Sequence, residues 1–563
     1  MAQGTNNSIF RNAGRLTGSA LKRELSKSGI WLVCLTILTL VGPIELKGLY
    51  NTLDSLRSFI TVMQIPAMVA MLGPVFLNEK TVSYAAMGTN EMLLLSLLLV
   101  AIMNIFYVVR QTRKEEEQGN LEIVRSLPVG RLANLGSTLI GAVVINALIS
   151  IVTTVALALL HTMDASFTFA GAVNYGMAFF VTGLVFAAIA AIVAQIASTS
   201  RGANTIGLIV VAVFYVIRIF GDFAVTVVSP SGATIASSSL KFMSYISPLG
   251  LGVQGQPFIK NMIWPYVVLL LAAIVFAVIA FALAQRRDLD AGLIPERQGS
   301  EHAPAYLRSN FGLIWRLMKN QLIGWAIVMV AVGATYGSIL GVIGNFIKSS
   351  TFFSGLFKPV DGYPVEMVFI ALLMVVFALV ACVPSMLIVL KMHSEEFNAH
   401  LDWILTTPVK RLRVIADYLI YALITSVVMV AIASVALWLT ALVVTNGPGM
   451  HNLWLYIKMI AIYLPAIWAM IGFTAMLVGG APRNTLSAWS YLGVGFYATY
   501  LGRVFLSNNK HWKWVIKISP FGWIPEYPIN PLHVWPFVIL TAIGIVLMVY
   551  GVYAFLQRDL EIG

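Results

Sequence analysis

Three consecutive glutamates at positions 115–117 form the densest acidic cluster in the sequence, and long apolar segments flank it on both sides. A glycine, a leucine, an acid, a proline and an arginine follow in order: Gly119, Leu121, Glu122, Pro128 and Arg131. The cluster holds carboxylates but no adjacent histidine or cysteine. Its chemistry therefore favours binding of another charged surface over acid–base or metal catalysis.

The same order of residues recurs 280 positions later, as the step from Pro128 to Pro408 shows. The second copy is at Glu395, Glu396, Leu401, Asp402, Pro408 and Arg411. It departs from the first copy where Phe397 replaces a glutamate, where Ala399 replaces the glycine, and where Thr406-Thr407 replaces Ser126-Leu127. We refer to residues 110–131 and 391–413 as the first and second acidic loops.

Each acidic loop is predicted to contain a short helix that the acids open and the proline ends, because proline disfavours helical geometry in the residue before it. Acids near a helix N-terminus interact well with its dipole. Leu121, Ile123, Val124 and Leu127 add an apolar stripe. A solvated helix at the membrane edge and a docking helix for a partner both fit these residues, and the duplication favours docking.

Several kinds of site are absent from the full sequence. It contains no Gly-Lys dipeptide, so no phosphate-binding loop of the Walker type can be written. It has no His-Glu-x-x-His and no Cys-x-x-Cys, and its two cysteines, Cys34 and Cys382, lie in apolar runs. We expect no metal, no catalytic residue and no cofactor on this chain. Active transport by this chain would need an ATPase partner or an ion gradient as its energy source.

Composition defines the fold class. The chain of 563 residues is 59% hydrophobic and 11% charged, whereas soluble domains are about 25% charged. Apolar runs of about 20 residues, each long enough to cross a bilayer core, follow one another along the chain. The sequence therefore predicts an all-α polytopic membrane protein with about 12 transmembrane helices, in two fused halves of six.

The predicted organisation has five parts. An N-terminal cytosolic amphipathic helix covers 1–30, and the first membrane half covers 31–284. A cytosolic linker with a second amphipathic helix covers 285–320, the second half covers 321–556, and a cytosolic C-terminus covers 557–563. The spans are expected at about 31–49, 92–109, 132–160, 173–197, 205–228, 263–284, 322–343, 368–390, 414–444, 453–478, 486–505 and 534–556.

Other landmarks also repeat. Ser-Pro-x-Gly occurs at 247–250 and 519–522, Trp-Pro at 264–265 and 535–536, and Gln-Arg at 285–286 and 557–558. The run 59–77 is apolar but broken by prolines. Counting it as a span would place the acidic loops on opposite sides of the membrane, so we expect an outer-face or re-entrant segment.

Lysine and arginine set the expected orientation. If both acidic loops and both termini are cytosolic, the inner segments hold more than twice as many lysines and arginines as the outer segments. This agrees with the positive-inside rule. The sequence therefore predicts a multi-pass protein of the bacterial cytoplasmic membrane with its N- and C-termini in the cytosol.

Three of the charged residues within predicted spans are candidates for a role in transport. Arg218 and Asp222 are one helical turn apart in the fifth span, and Arg503 occupies a similar place in the eleventh. Charges at membrane depth usually face protein or water. They are expected either to line an outer gate of a translocation path or to extend to the outer interface, with Asp222 neutralising Arg218.

The run Glu-Glu-x-x-Gly-x-Leu-Glu followed by Leu-Pro-Val-x-Arg resembles the coupling segment of ABC-2-type transporter permeases. The fused six-plus-six layout and the late Ser-Pro-x-Gly motifs resemble the tetronasin-type permeases, exporters of polyketide antibiotics. The resemblance covers nearly the whole chain. It implies a type V exporter-like fold, and two copies of a separate ATPase subunit that bind ATP and Mg²⁺.

The resemblance also implies which residues dock the ATPase. They are Glu115, Glu116, Gly119, Leu121, Glu122 and Pro128 in the first loop, and Glu395, Glu396, Leu401, Asp402 and Pro408 in the second. The departures at Phe397 and Ala399 imply that the first dock is closer to the family pattern.

We therefore expect the membrane subunit of an ABC exporter that moves a hydrophobic or amphiphilic, polyketide-like compound out of the cell by alternating access. An ion-coupled carrier is the main alternative, and it would need acidic residues near mid-membrane. A membrane enzyme would need a cluster of catalytic side chains at one interface. The partners expected are the ATPase, the compound and the bilayer, with no nucleic acid.

Overall fold

The structure, a computed structural model, describes residues 9–49, 59–60, 63–64, 66–77, 81–226, 242–287, 292–293, 302–349, 365–445, 452–499 and 513–559. Within these residues all regular structure is helical. The chain divides into two compact units, Met1–Gly299 and Ser300–Gly563.

The first unit contains six of the helices long and apolar enough to cross a membrane. Its helices are α1 Ala13–Leu49, α2 Pro66–Leu72, α3 Tyr84–Val109, α4 Asn120–Arg125, α5 Ala133–Leu159, α6 Phe169–Ile196, α7 Ser200–Thr226, α8 Phe242–Ile246, α9 Pro248–Val253 and α10 Trp264–Arg286. Helix α3 continues through a π-helical turn, Arg110–Lys114, and a last α-helical turn, Glu115–Glu117. A 3-10 turn, Leu160–Thr162, ends α5.

The second unit contains five such spans among its described residues. Its helices are α11 Asn310–Ser349, α12 Val365–Phe397, α13 His400–Leu405, α14 Arg411–Val444, α15 Leu453–Ala461, α16 Leu464–Gly480, α17 Leu486–Phe496, α18 Lys513–Ile516 and α19 Val534–Gln557. Shorter 3-10 turns occupy Ala305–Arg308, Pro482–Asn484 and Pro520–Trp523. The predicted span 486–505 begins as α17, and its end lies outside the described residues.

The 11 candidate spans confirm a polytopic, all-helical protein of about 12 spans. The spans are helical because a segment in the bilayer must satisfy its backbone hydrogen bonds internally. The predicted amphipathic segment before Trp31 and the first span form one continuous helix, α1. The second span begins at Tyr84, earlier than predicted, because Ser83 caps it and buried Asn90 donates to the carbonyl of Pro74.

The ambiguous run at 59–77 contains only one described helix longer than two residues, Pro66–Leu72. Its 7 residues rise about 1.5 Å each. The hydrocarbon core is about 30 Å thick, so this helix is too short to cross it. Its backbone is bound by α7, where Tyr215 donates from its hydroxyl to the carbonyls of Ala70 and Met71 at 3.1 Å.

Each Ser-Pro-x-Gly motif brings its glycine against the backbone of a residue six positions earlier. A Cβ on Gly250 would lie 2.1 Å from the carbonyl oxygen of Ser244, and one on Gly522 would lie 1.9 Å from that of Ile516. Side chains cannot occupy such positions without moving the backbone. The repeated motif therefore produces the same close turn in both units.

Small residues join two spans of the second unit, α16 and α19. A Cβ on Gly479 would lie 2.0 Å from the carbonyl oxygen of Gly551, and one on Gly472 would lie 2.5 Å from that of Gly544. Small residues let membrane helices approach closely enough for van der Waals packing. This packing drives helix association in the bilayer, where the hydrophobic effect does not. This packing fixes the position of α19, the last span of the unit.

We predict that Gly551→Ala destabilises the second unit by about 1–3 kcal/mol, the usual cost of overpacking. The added Cβ would lie 2.5 Å from the carbonyl carbon of Ala475. Thermal unfolding in detergent, followed by tryptophan fluorescence, measures the change. Gly493→Ala is the matched control, because a Cβ there meets nothing within 4 Å. Equal unfolding temperatures for the two variants would contradict this packing.

Candidate functional site

Both acidic loops turn sharply after the second span of their unit. The turn is made by Gly119, with φ 75°, and by Ala399, with φ 59°, both in the left-handed region. Each donates its N–H to the carbonyl three residues earlier, that of Glu116 or Glu396, at 2.9 Å. The short helices α4 and α13 follow directly, so the two loops share one backbone design despite the change from glycine to alanine.

The expectation that the acids open a short helix is wrong. Glu115–Glu117 form the last turn of the long helix that begins with α3, and Glu395 and Glu396 lie near the end of α12. Glu122 and Asp402 instead occupy the first turns of α4 and α13, where an acid interacts favourably with the helix dipole. The left-handed residue separates the two groups of acids.

The second glutamate of each loop is buried and paired with the arginine at the end of the last span of its unit. Glu116 Oε2 accepts from Arg287 Nη2 at 2.5 Å. Glu396 accepts two bonds from Arg558, at 2.5 Å from Nη1 and 2.7 Å from Nη2. We call Glu116–Arg287 and Glu396–Arg558 the first and second closing ion pairs, because each joins the acidic loop to the final helix.

A second arginine donates a hydrogen bond to the backbone of each closing arginine. Arg131 donates from Nη2 to the carbonyl of Arg287, and Arg411 donates from Nη2 to that of Arg558, both at 3.2 Å. The structural counterpart of Arg558 is therefore Arg287, and not Arg286 as the repeated Gln-Arg dipeptide indicates. The spacing from Arg287 to Arg558 equals the spacing from Trp264 to Trp535.

The first glutamate of each loop contacts the first residue of the following short helix. Asn120 donates from Nδ2 to Glu115 Oε2, and His400 Nδ1 lies against Glu395 Oε2, both at 3.1 Å. Glu115 also pairs with Arg23 of α1 at 3.0 Å. These contacts hold the short helices α4 and α13 close to the end of the preceding span.

The predicted docking residues separate into two groups. Five have buried side chains, and these are Glu116, Leu121, Glu395, Glu396 and Leu401. The other six are partly or fully exposed, and these are Glu115, Gly119, Glu122, Pro128, Asp402 and Pro408. The buried group gives each loop its shape, and only the exposed group has side chains or backbone open to a partner. Docking itself stays a prediction.

The structure adds exposed apolar side chains that the prediction did not include among the docking residues. Trp403 is 80% exposed, and Ile123, its counterpart in the first loop, is 68% exposed. Leu127 and Phe397 are also exposed. Large exposed apolar residues clustered on a short helix are typical of a protein interface.

The two loops differ in charge around the closing ion pair. In the first unit Arg113 is buried, donates to Glu116 Oε2 at 3.0 Å and donates from Nε to the carbonyl of Ser198 at 2.8 Å. His393 takes that position in the second unit. There Arg558 supplies the corresponding contact, from Nε to the carbonyl of Gly479 at 2.9 Å.

Arg218 and Asp222 form a fully buried ion pair at 2.5 Å in the first unit. Arg218 also donates to the carbonyl of Ala70 in α2, and Ser244 of α8 donates to Asp222 at 2.7 Å. The pair therefore ties three helices together, and neither side chain extends to the solvent. An outer-gate role stays a prediction, and Arg503 lies outside the described residues.

Sequence reasoning did not assign Arg287, Arg558 or Arg113 to the site. The available signal was the order Arg-Asp-Leu-acid at 287–290 and 558–561, which ends both halves. No group of three or more histidines, cysteines or acids in the described part of the chain could hold a metal ion.

Two family models match the chain. Residues 307–556 match the C-terminal domain of the multidrug efflux system permease Rv1217c, and residues 56–250 match an ABC-2 family transporter protein. The chain is similar to the multidrug efflux system permease protein Rv1217c of Mycobacterium tuberculosis, with 31% identity over 548 residues. That alignment covers 96% of this chain and 94% of the relative.

We predict that Arg558→Leu destabilises the second unit by about 3–5 kcal/mol, because it leaves the buried carboxylate of Glu396 unpaired. The double variant Glu396→Leu with Arg558→Leu should recover part of that loss, since it removes both charges. Thermal unfolding of the purified variants measures both effects. Arg308→Leu, at an exposed arginine of the same unit, is the control. A double variant as unstable as the sum of the two single variants would contradict the pairing.

We predict opposite effects of exchanging glycine and alanine at the two turns. Ala399→Gly should stabilise by about 1 kcal/mol, because a non-glycine residue in the left-handed region costs about that much. Gly119→Ala should destabilise by a similar amount through the backbone alone, since its Cβ would meet nothing within 4 Å. Unfolding temperatures measure both, and changes of the same sign would show that the turns are not equivalent.

Proposed function

Because the chain belongs to the ABC-2 family of transporter permeases, we propose that it is the membrane subunit of a multidrug exporter driven by a separate ATPase. The main observation in support is the duplicated acidic loop, in which a closing ion pair joins a buried glutamate to the last span. A solvated interfacial helix would not need this arrangement twice.

The proposed partner is an ABC ATPase subunit in two copies, one for each acidic loop. Two observations support it. The sequence has no phosphate-binding loop of its own, and each loop exposes an apolar side chain, Ile123 or Trp403, beside an acid on a short helix. ATP and Mg²⁺ would bind on that subunit and not on this chain.

We propose that the exposed residues of the loops contact the ATPase and that the closing ion pairs transmit its movement. When ATP draws the ATPase subunits together, each short helix would be displaced. Because Glu116 and Glu396 are bonded to Arg287 and Arg558, the final helix of the unit would move with the loop. The buried docking candidates then act as positioning residues.

The cargo we propose is a hydrophobic or amphiphilic compound of the polyketide or polyether antibiotic class. Spans with apolar faces and few buried charges suit such a compound, and the related permease of M. tuberculosis is named for multidrug efflux. The direction is outward from the cytosol. The chain would lie in the bacterial cytoplasmic membrane with both acidic loops and both termini inside, as the distribution of lysine and arginine indicates.

We predict that Trp403→Ala weakens binding of the ATPase subunit about 30-fold, because exposed tryptophans at interfaces often contribute about 2 kcal/mol. Ile123→Ala should weaken it less. Binding of the purified ATPase to the chain in nanodiscs measures both. Trp454→Ala, at another exposed tryptophan, is the matched control. If the Trp403 and Trp454 variants bind equally well, the second loop is not a docking surface.

We predict that ATP, and not an ion gradient, drives transport. In inverted membrane vesicles that contain both subunits, uptake of a fluorescent amphiphile should require ATP and persist after a protonophore collapses the proton gradient. Vesicles with the Arg558→Leu chain should bind ATPase but take up less amphiphile. Uptake that follows the proton gradient without ATP would instead favour the ion-coupled carrier.

A further inference from the structure

A small polar cavity lies where the first acidic loop meets the ends of three spans in the first unit. Its volume is about 40 Å³. Seven polar residues contribute to its lining, and these are Thr112, Glu116, Arg125, Arg131, Asn134, Gln195 and Arg287. We call it the arginine cavity.

Positive charge exceeds negative charge around the arginine cavity. Three arginines line it against one glutamate, and Oε2 of that glutamate already accepts from Arg113 and Arg287. Arg125 and Arg131 are exposed at the protein surface, and Arg287 is the buried arginine of the three. Partial desolvation lowers the pKa of Arg125; Glu116 opposes this change, whereas the charges of Arg131 and Arg287 add to it. The described residues thus leave these guanidinium groups only partly neutralised.

One donor in the arginine cavity has no partner. Arg287 is 9% exposed in its side chain, and its Nη2 is bonded to Glu116. Its Nη1 is buried and has no hydrogen-bond partner among the residues that the structure describes. Leaving a charged donor buried and unpaired is costly, so a bound acceptor there would be strongly favoured.

The second unit has a smaller excess of charge, with two arginines, Arg411 and Arg558, near Glu396. Nε of Arg411 is also buried without a hydrogen-bond partner among the described residues. The position of Arg125 is occupied by Leu405, and that of Arg113 by His393. Arg558, the counterpart of Arg287, directs both Nη1 and Nη2 to Glu396 and leaves neither group in search of an acceptor. The cavity is therefore a property of the first acidic loop and not of the repeat.

We propose that the arginine cavity binds one small inorganic anion of the halide class, such as chloride. A water molecule needs about 10–15 Å³ of such volume, so the cavity has room for about three waters, and a monatomic anion fits with one or two of them. Guanidinium groups and side-chain amides from Asn134 and Gln195 are suitable donors. The anion would neutralise the arginines and stabilise the first acidic loop. This inference goes beyond the proposed transport function and does not depend on it.

Anion-dependent thermal unfolding of the full chain in detergent tests the proposal. Sodium chloride, bromide, phosphate and gluconate are compared at constant ionic strength, without ATPase or transported compound. Chloride should raise the unfolding temperature saturably by about 3 °C relative to gluconate. Arg125→Leu, which copies the second unit, should lose that rise. Arg125→Gln gives the same test with a polar side chain, and Arg413→Leu, at an exposed arginine, should retain it.

Each outcome decides the assignment. A saturable chloride effect that disappears in both Arg125 variants and persists in the Arg413 variant supports a halide site. The same unfolding temperature in chloride and gluconate would overturn it and leave the cavity to water. Stabilisation by phosphate but not by chloride would also overturn it, because a phosphate group would then be the ligand.

Discussion

The buried carboxylates of Glu116 and Glu396 are the constraint on which each unit depends. A charge removed from water must be paired and hydrogen-bonded. Removal of one partner is strongly destabilising, because it leaves the other charge buried and uncompensated. In both units the partner of the glutamate is an arginine at the end of the last span. It is 171 positions away in the first unit and 162 in the second. The loop after the second span and the end of the last span are thereby fixed to each other.

The duplication is close in geometry but unequal in charge. Both loops turn at a left-handed residue, bury a leucine and pair a buried glutamate with a closing arginine, through one bond in the first unit and two in the second. The first loop surrounds its glutamate with additional arginines, whereas the second has histidine and leucine at those positions. The two loops therefore share a backbone design and differ in their electrostatics.

Apolar length and repetition were enough to predict the membrane fold, most spans and the position of both acidic loops. The closing ion pairs were not predictable, because periodicity carries no information about a contact between residues so far apart. The left-handed turn at Ala399 was missed for another reason: alanine gives no turn signal, and only its match to Gly119 indicated it. The sequence left Arg218 between an outer gate and the outer interface, because its contact in α2 and that of Asp222 in α8 lie in segments without a clear pattern.

The most direct test of the central claim is the distance between the first acidic loop and the last span of its unit during the ATPase cycle. Spin labels at Gln118→Cys and Arg286→Cys, both exposed, with Cys34→Ser, would report it by double electron–electron resonance spectroscopy. The account predicts one unchanged distance in the nucleotide-free and ATP-trapped complexes, with a broader distribution after Arg287→Leu. A distance that changes on ATP trapping in the otherwise native chain would show that the loop moves independently of the last span.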